Sequence, residues 1–422
     1  FLSYFLQTLY GMADLFIVGQ FDGVASTTAV SIGSQVMHML TVMIVGLAMG
    51  ATVSIGQSIG AGDKKRASVF VGNTVILFMG ISLVLAVLLL FFVKPAVAVM
   101  STPAEAVSGT AAYLTICFLG IPFITAYNVI SSIFRGLGDS KSPMYFIAVA
   151  CAVNIILDYL FIGFFHLGAS GAALGTTLSQ ACSVLFALIA IKRKQTGLSL
   201  SGDCFRPQKK PLGKILNIGI PVALQDGFIQ IAFIIITIIA NRRGLNAAAA
   251  VGIVEKIISF LFLIPSSMLS TVSALAAQNI GAGKKSRAWK GFYTAIITGC
   301  SVGIIIFMVG FFGGGVLSSF FTNDSEVIAQ SAAYLKGFSA DCILTCVLFS
   351  SIGYFNGCGK SIPVMIQGIT SAFCIRIPVS IIMSRLPETS LTYVGMATPI
   401  TTVYGIIFFV ICFRLLNKNS AK

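Results

Sequence analysis

The chain repeats itself at a single offset of 221 residues. Gln57-Ser-Ile-Gly-Ala-Gly-Asp-Lys-Lys-Arg-Ala67 recurs as Gln278-Asn-Ile-Gly-Ala-Gly-Lys-Lys-Ser-Arg-Ala288, with eight of eleven positions identical. The same shift carries Val30 and Ile32 onto Val251 and Ile253, and Tyr113-Leu114 onto Tyr334-Leu335. It also carries Phe134, Gly136 and Gly138 onto Phe355, Gly357 and Gly359, and Pro143 finds Pro363 after one deletion. Such a duplication restricts the fold to two related halves, each of about 210 residues, fused in one chain.

What those halves are built from follows from their apolar content. Hydrophobic residues make up 57% of the chain and charged residues 9%, against about 25% charged in a soluble domain. A membrane-spanning helix needs about 20 apolar residues. Twelve segments qualify, at 1–20, 25–56, 67–93, 105–134, 143–165, 169–193, 214–241, 246–277, 289–321, 326–355, 363–385 and 391–415. Those longer than thirty residues are expected to tilt or to project beyond the bilayer. The chain is already apolar at Phe1, so a further N-terminal segment is expected and no targeting signal is read.

Twenty of the 27 Lys and Arg residues fall in the loops after even-numbered spans and at the C-terminus, and four fall in the loops after odd-numbered spans. The positive-inside rule then places the even loops and both termini in the cytoplasm, in a multi-pass protein of the cell's inner membrane. The net charge of +14 is thus a topology signal, and no basic soluble face suited to nucleic acid is present. Six spans per half is an even number, so the halves run in the same direction, related by an axis along the membrane normal. The polar stretch Lys192 to Lys214, with Gly197, Gly202, Pro207 and Pro211, reads as the link between them. The expected fold is an all-α integral membrane protein, with twelve transmembrane helices in two six-helix lobes related by a pseudo-two-fold axis. Its boundaries are 1–194 for the N-lobe, 195–213 for a cytoplasmic linker and 214–422 for the C-lobe. Such a duplication in a membrane points to a transporter.

Two kinds of chemistry are set aside. The ten Cys are dispersed, mostly inside spans, without metal-ligand spacing. Gly359-Lys360-Ser361 resembles the end of a phosphate-binding loop, but the required earlier glycine is Tyr354 and no strand precedes it. No metal, cofactor or nucleotide is expected, and no enzyme.

What remains is acid inside the membrane, where each charge costs about 2.5–3.5 kcal/mol on insertion scales. Counted from the outer loops, Asp14 and Asp158 lie about 9–12 Å below the outer ends of their spans. Asn154 sits one turn from Asp158 on the same face, and Gln7 two turns from Asp14. Tyr113 and Thr176 reach a similar depth. Two carboxyls meeting there compete for ionisation, which suits a proton carrier. The repeat supplies a control, because Asp14, Asn154 and Asp158 correspond to Ile235, Cys374 and Pro378. The second half carries Asp341 and Arg376 near mid-depth, read as a structural ion pair. Gln35, Gln225, Asp226 and Glu255 are candidates to line a substrate cavity.

At these residues the chain resembles the MATE family of multidrug and toxin extrusion transporters. The resemblance rests on Asp14-Leu-Phe-Ile-Val-Gly19, the paired Gln-x-Ile-Gly-Ala-Gly loops, Phe134-Arg-Gly-Leu-Gly-Asp-Ser-Lys-Ser-Pro143 and Asn154-Ile-Ile-Leu-Asp158. The Asn154/Asp158 pair with Asp14 looks like the DinF branch, with its MepA-like exporters. The resemblance implies a proton site formed by Asp14, Asn154 and Asp158, aided by Gln7, Tyr113 and Thr176. It also implies two six-helix lobes, a rocker-switch motion, and export of amphipathic organic cations in exchange for protons by a monomer. The NorM branch has a sodium-binding acid after a Gly-Ile-Pro; here Gly219-Ile-Pro221 is followed by Gln225 and Asp226, so sodium is the alternative coupling ion. The alternative function is a flippase for lipid-linked oligosaccharides or lipid precursors on the same scaffold. An anionic head would favour a cavity of Arg and Lys, and the first-half cluster is acidic.

Overall fold

The computed structural model describes residues 1–100, 102–193, 198, 201–241, 245–322, 324–385 and 391–420. Among them the chain is helical, with no strand. Ten helices are long and apolar enough to cross a membrane, and a pair bent by 46° makes an eleventh. The remaining expected span is a helix of 20 residues whose Gln7, Asp14 and Gln20 dilute its apolar content.

The chain divides into two compact units, Leu2–Ala223 and Leu224–Lys422. The first contains α1 (Leu2–Phe21), α2 (Val24–Gly60), α3 (Lys64–Phe91), α4 (Val93–Val99), α5 (Val107–Gly136), α6 (Lys141–Asp158) and α7 (Gly168–Arg193). A π-helical segment, Tyr159–Phe164, continues α6. The division falls within α8 (Lys209–Asn241), just after Pro221. The second unit continues with α9 (Leu245–Leu261), α10 (Leu263–Gly281), α11 (Lys285–Ser319), α12 (Ser325–Phe338) and α13 (Asp341–Gly357). It ends with α14 (Ser361–Thr370), a second π-helical segment (Ser371–Arg376), α15 (Ile377–Arg385) and α16 (Leu391–Ser420). The bent pair is α12 with α13.

Part of the expected linker, 195–197 and 199–200, lies outside the described residues. The rest packs on the first unit. The buried Asn73 of α3 donates to the carbonyls of Cys204 (3.4 Å) and Arg206 (3.2 Å) and accepts from the Gln208 amide (2.7 Å). Next to it, a Cβ on Gly72 would lie 2.1 Å from the Cys204 carbonyl oxygen, so only glycine admits the linker there. The Lys214 ammonium donates to Gln57 Oε1 at 2.7 Å. On α8, Gly219 lies against the Leu47 carbonyl, and on α2 Gly50 lies against that of Ile215. The first turns of α8 therefore pack backbone to backbone on α2.

The repeated loop has the same geometry in both copies. Ala61 and Ala282 donate to the carbonyls of Gln57 and Gln278, each at 3.0 Å. Gly62 and Gly283 then take φ of 75° and 71°, a left-handed helix end that glycine adopts without strain. The copies differ in what begins the next helix. Asp63 caps α3 by accepting from the Arg66 amide at 2.9 Å, and Asp139 accepts from the amides of Lys141 and Ser142 ahead of α6. Their counterparts at the same offset are Lys284 and Lys360, and neither makes a side-chain cap. Loss of such a cap costs about 1 kcal/mol.

Each unit has its own apolar core. In the first, Phe118, Ile121, Leu114 and Val30 form one cluster and Phe78, Phe70 and Ile55 another. In the second, Phe338, Leu335 and Val251 pack together, and so do Phe355, Phe409 and Val364. Leu83, Val84, Val87 and Phe91 on α3, and Phe312 and Val316 on α11, are exposed. A water-exposed surface of that kind would be unstable, and a lipid-facing one is not.

Candidate functional site

Helices α1, α6 and α7 of the first unit enclose the acid cluster. Asp14 is 5% exposed, and Asn154 and Asp158 are fully buried. Asp14 Oδ2 accepts a hydrogen bond from Thr176 Oγ1 at 2.9 Å. Asp158 Oδ1 accepts from Asn154 Nδ2 at 3.4 Å, a long bond one helical turn apart. The two carboxyls lie within hydrogen-bonding reach of each other. Four of the six residues picked out by depth and spacing are thus brought together.

Asp14 Oδ1 and Asp158 Oδ2 are both buried and both lack a donor. Asn154 Oδ1 and Gln180 Oε1 are also buried and unpartnered. Two adjacent ionised carboxylates accept only, so neither can satisfy the other. A proton on either converts it into a donor to its neighbour. Unit charges about 4 Å apart repel by about 4 kcal/mol at an effective dielectric of about 20, and one proton removes that repulsion.

Tyr113 is 2% exposed on α5. Its ring fits against Gly33 of α2, where a Cβ would lie 2.3 Å from it, and its hydroxyl is within electrostatic range of Asp14. Gln7 is half-buried on α1, and among the described residues no hydrogen bond joins it to the carboxyls.

Three residues belong to the cluster that depth and spacing did not point to. The buried Tyr10 hydroxyl, one turn before Asp14, lies beside Thr176, Ser179 and Gln180. Gln180 follows Thr176 by one turn on α7. Gly175 is where Asp158 meets α7, and a Cβ there would stand 2.1 Å from Asp158 Oδ1. Acid at i and a polar residue at i−4 was the signal that could have found Tyr10. Gly175 had no local signal, because its role depends on a partner seventeen positions away. Asp158 also ends α6 as the helix changes to its π-helical segment, a distortion frequent at functional sites.

The second unit corrects one expectation. Among the described residues no charged-atom contact within 4.0 Å joins Asp341 to Arg376, so they form no direct ion pair, although each lies in electrostatic range of the other. Asp341 is fully buried and accepts from Thr345 Oγ1 at 2.8 Å, with Thr402 also in reach. The Arg376 guanidinium lies 4.8 Å from the centre of the Phe233 ring. Arg376 ends the second π-helical segment. A π turn shifts the facing of every residue after it, which depth counting cannot register.

The cavity candidates divide between the units. Gln35 is exposed on α2 of the first. In the second, Gln225 is 3% exposed with Oε1 unpartnered, packed against Gly368, while Asp226 and Glu255 are half-buried.

Comparison with known proteins follows the same lines. The MatE family model matches residues 1–160 and 221–382. The probable multidrug resistance protein YoeA of Bacillus subtilis (strain 168) is 27% identical over 435 residues, covering 97% of this chain and 91% of that protein. The multidrug export protein MepA of Staphylococcus aureus (strain N315) is 28% identical over 384 residues, covering 90% and 84%. A solved outward-facing multidrug resistance MATE family transporter of the MOP superfamily superposes with a TM-score of 0.91. It is 22% identical, covers 99% of this chain and 94% of that one, and speaks to the fold.

Proposed function

We propose, from the premise that this chain belongs to the MatE family of multi-pass membrane transporters, that it exports amphipathic organic cations in exchange for protons. The single observation carrying this reading is the Asp14–Asp158 pair. Two buried carboxyls share reach of one another, with hydroxyl and amide neighbours and an unpartnered oxygen on each. Such a pair has two charge states that differ in what they attract. With one shared proton it is a hydrogen-bonded monoanion. Without the proton it is a dianion that draws in a cation.

In this mechanism Asp158 is the group that gains and loses the proton, and Asp14 is its partner. Asn154 and Thr176 orient one carboxylate oxygen each. Tyr113 closes the α5 side. Proton and organic cation then compete for the cluster or for the conformations it favours. Coupling requires the proton to bind one conformation more tightly than the other. The π turn after Asp158 gives α6 a place to change register as the charge changes. The rest of the reading follows the topology: a cytoplasmic membrane protein with both termini inside, acting as a monomer that alternates access by a rocker-switch.

The test is efflux of an organic-cation dye from proteoliposomes. A pH gradient alone should drive it. Efflux driven by a sodium gradient alone, unchanged when the pH gradient is collapsed, would transfer the coupling to sodium.

A further inference from the structure

The two copies of the repeat differ in charge at the ends that carry the basic loops. The first copy has Asp63 and Asp139 at its two turns, each capping the helix that follows. The second has Lys284 and Lys360 in those places, with both caps gone. The amide ends of α11 and α14 are left without a side-chain acceptor and gain two ammonium groups instead. That is the arrangement an anion completes.

Further features gather at the same place. Lys285 and Lys360 both lie near the Cys358 thiol, which is hydrogen-bonded to Tyr354. Lys284, Lys285, Arg287, Lys290 and Lys360 are exposed or nearly so, and no Asp or Glu occurs between Glu255 and Asp324 or between Asp341 and Glu388. Among the described residues none of these cations has an acidic partner. At the base of the second turn, Asn356 is fully buried with both amide atoms unpartnered, and Ser361 is 2% exposed with its hydroxyl unpartnered.

An aromatic cluster borders this patch. Trp289 lies 5.1 to 5.5 Å, centre to centre, from Phe292, Tyr293, Tyr354 and Phe413. Tyr293 is 51% exposed. Its counterpart in the first copy is Gly72, which is covered by the linker. Among the described residues, the second unit therefore leaves exposed a surface that the linker covers in the first.

We propose that this end of the second unit is a binding site for the headgroup of an anionic phospholipid. The phosphate lies between Lys285 and Lys360 at the uncapped starts of α11 and α14, and Trp289 and Tyr293 lie along the glycerol and upper acyl chain. Tryptophan and tyrosine favour the headgroup level of a bilayer, and lysines at that level attract anionic lipid. The position at the end of membrane spans selects a lipid over a dissolved phosphate. The inference is independent of the transport reading, since it uses none of the first-unit carboxyls.

Trp289 is the only tryptophan in the chain, so intrinsic fluorescence reports on this site alone. The experiment reconstitutes the full chain in vesicles containing brominated phosphatidylglycerol or brominated phosphatidylcholine and measures quenching. The anionic lipid should quench Trp289 with about tenfold higher apparent affinity. Lys284→Asp combined with Lys360→Asp rebuilds the first copy's caps, so it should fold at least as well and lose that preference. Lys64→Gln with Lys65→Gln, in the first copy, should leave it intact. Equal quenching by the two lipids, or a preference that survives the double aspartate variant, would overturn the proposal. So would a preference abolished by millimolar inorganic phosphate, which would assign the site to the free anion.

Discussion

The first unit puts two carboxyls against each other, and the second holds its acid and its guanidinium in electrostatic range of one another without direct contact. Asp14 and Asp158 are like charges whose neighbours are hydroxyls and amides. Asp341 is held by threonine hydroxyls, and Arg376 rests on an aromatic ring. One duplicated scaffold thus carries two electrostatic designs. In the first, under the proposed function, net charge is relieved by taking up a proton. In the second, hydroxyls, a ring face and a nearby opposite charge compensate each group without one. A repeat in which Asp14, Asn154 and Asp158 become Ile235, Cys374 and Pro378 keeps the architecture and drops the carboxyl pair. Under the proposed function, coupling belongs to the first unit and the second contributes stability and shape.

The sharpest way to break this contrast is Asp158→Asn, which mimics a carboxyl that cannot release its proton. Gradient-driven dye efflux should fall to the rate of protein-free vesicles at matched expression, and Asp14→Asn should do the same. Wild-type efflux in Asp158→Asn would remove the first unit from the mechanism. Next in size is Gly175→Ala. The added methyl would stand 2.1 Å from Asp158 Oδ1 and push the carboxyl off α7. Efflux should drop about tenfold, equivalent to about 1.4 kcal/mol, with insertion unchanged. Undiminished efflux would mean that the carboxyl position on α7 is not critical.

Much of this site was legible because depth in a membrane is written in residue count. Asp14, Asn154, Asp158 and Thr176 could be placed at one level from their distances to the outer loops, and the structure joins them. Facing is harder to read than depth. Asp341 and Arg376 were expected at one level, yet Arg376 ends a π-helical segment with its guanidinium over the Phe233 ring. Gly175 was invisible because a glycine that admits a partner leaves no mark of its own in the sequence. The exchange of Asp63 and Asp139 for Lys284 and Lys360 was visible in the repeat. Its meaning appeared only once the lost caps and the bare aromatic surface were in view.

Asn154→Ala sharpens the comparison at a smaller scale. It removes one hydrogen bond of 3.4 Å to Asp158 and leaves the charge pair. Efflux should fall about fivefold, the equivalent of about 1 kcal/mol, and a loss as large as that of Asp158→Asn would make Asn154 more than an orienting group. The smallest effect on transport is expected in the second unit. Asp341→Asn should leave gradient-driven efflux within about twofold while lowering the stability of the protein by about 1–3 kcal/mol, read as a lower thermal unfolding midpoint in detergent. Loss of coupling there would dissolve the contrast between the units.

The central claim is that the Asp14–Asp158 pair holds a proton that substrate displaces. It is tested most directly by counting protons released when an organic cation is added to the solubilised protein in weakly buffered solution with a pH indicator. The account predicts release of about one proton per molecule from the wild type and none from Asp158→Asn. A wild type that binds the cation without releasing protons, or an Asp158→Asn variant that releases as many, would contradict it.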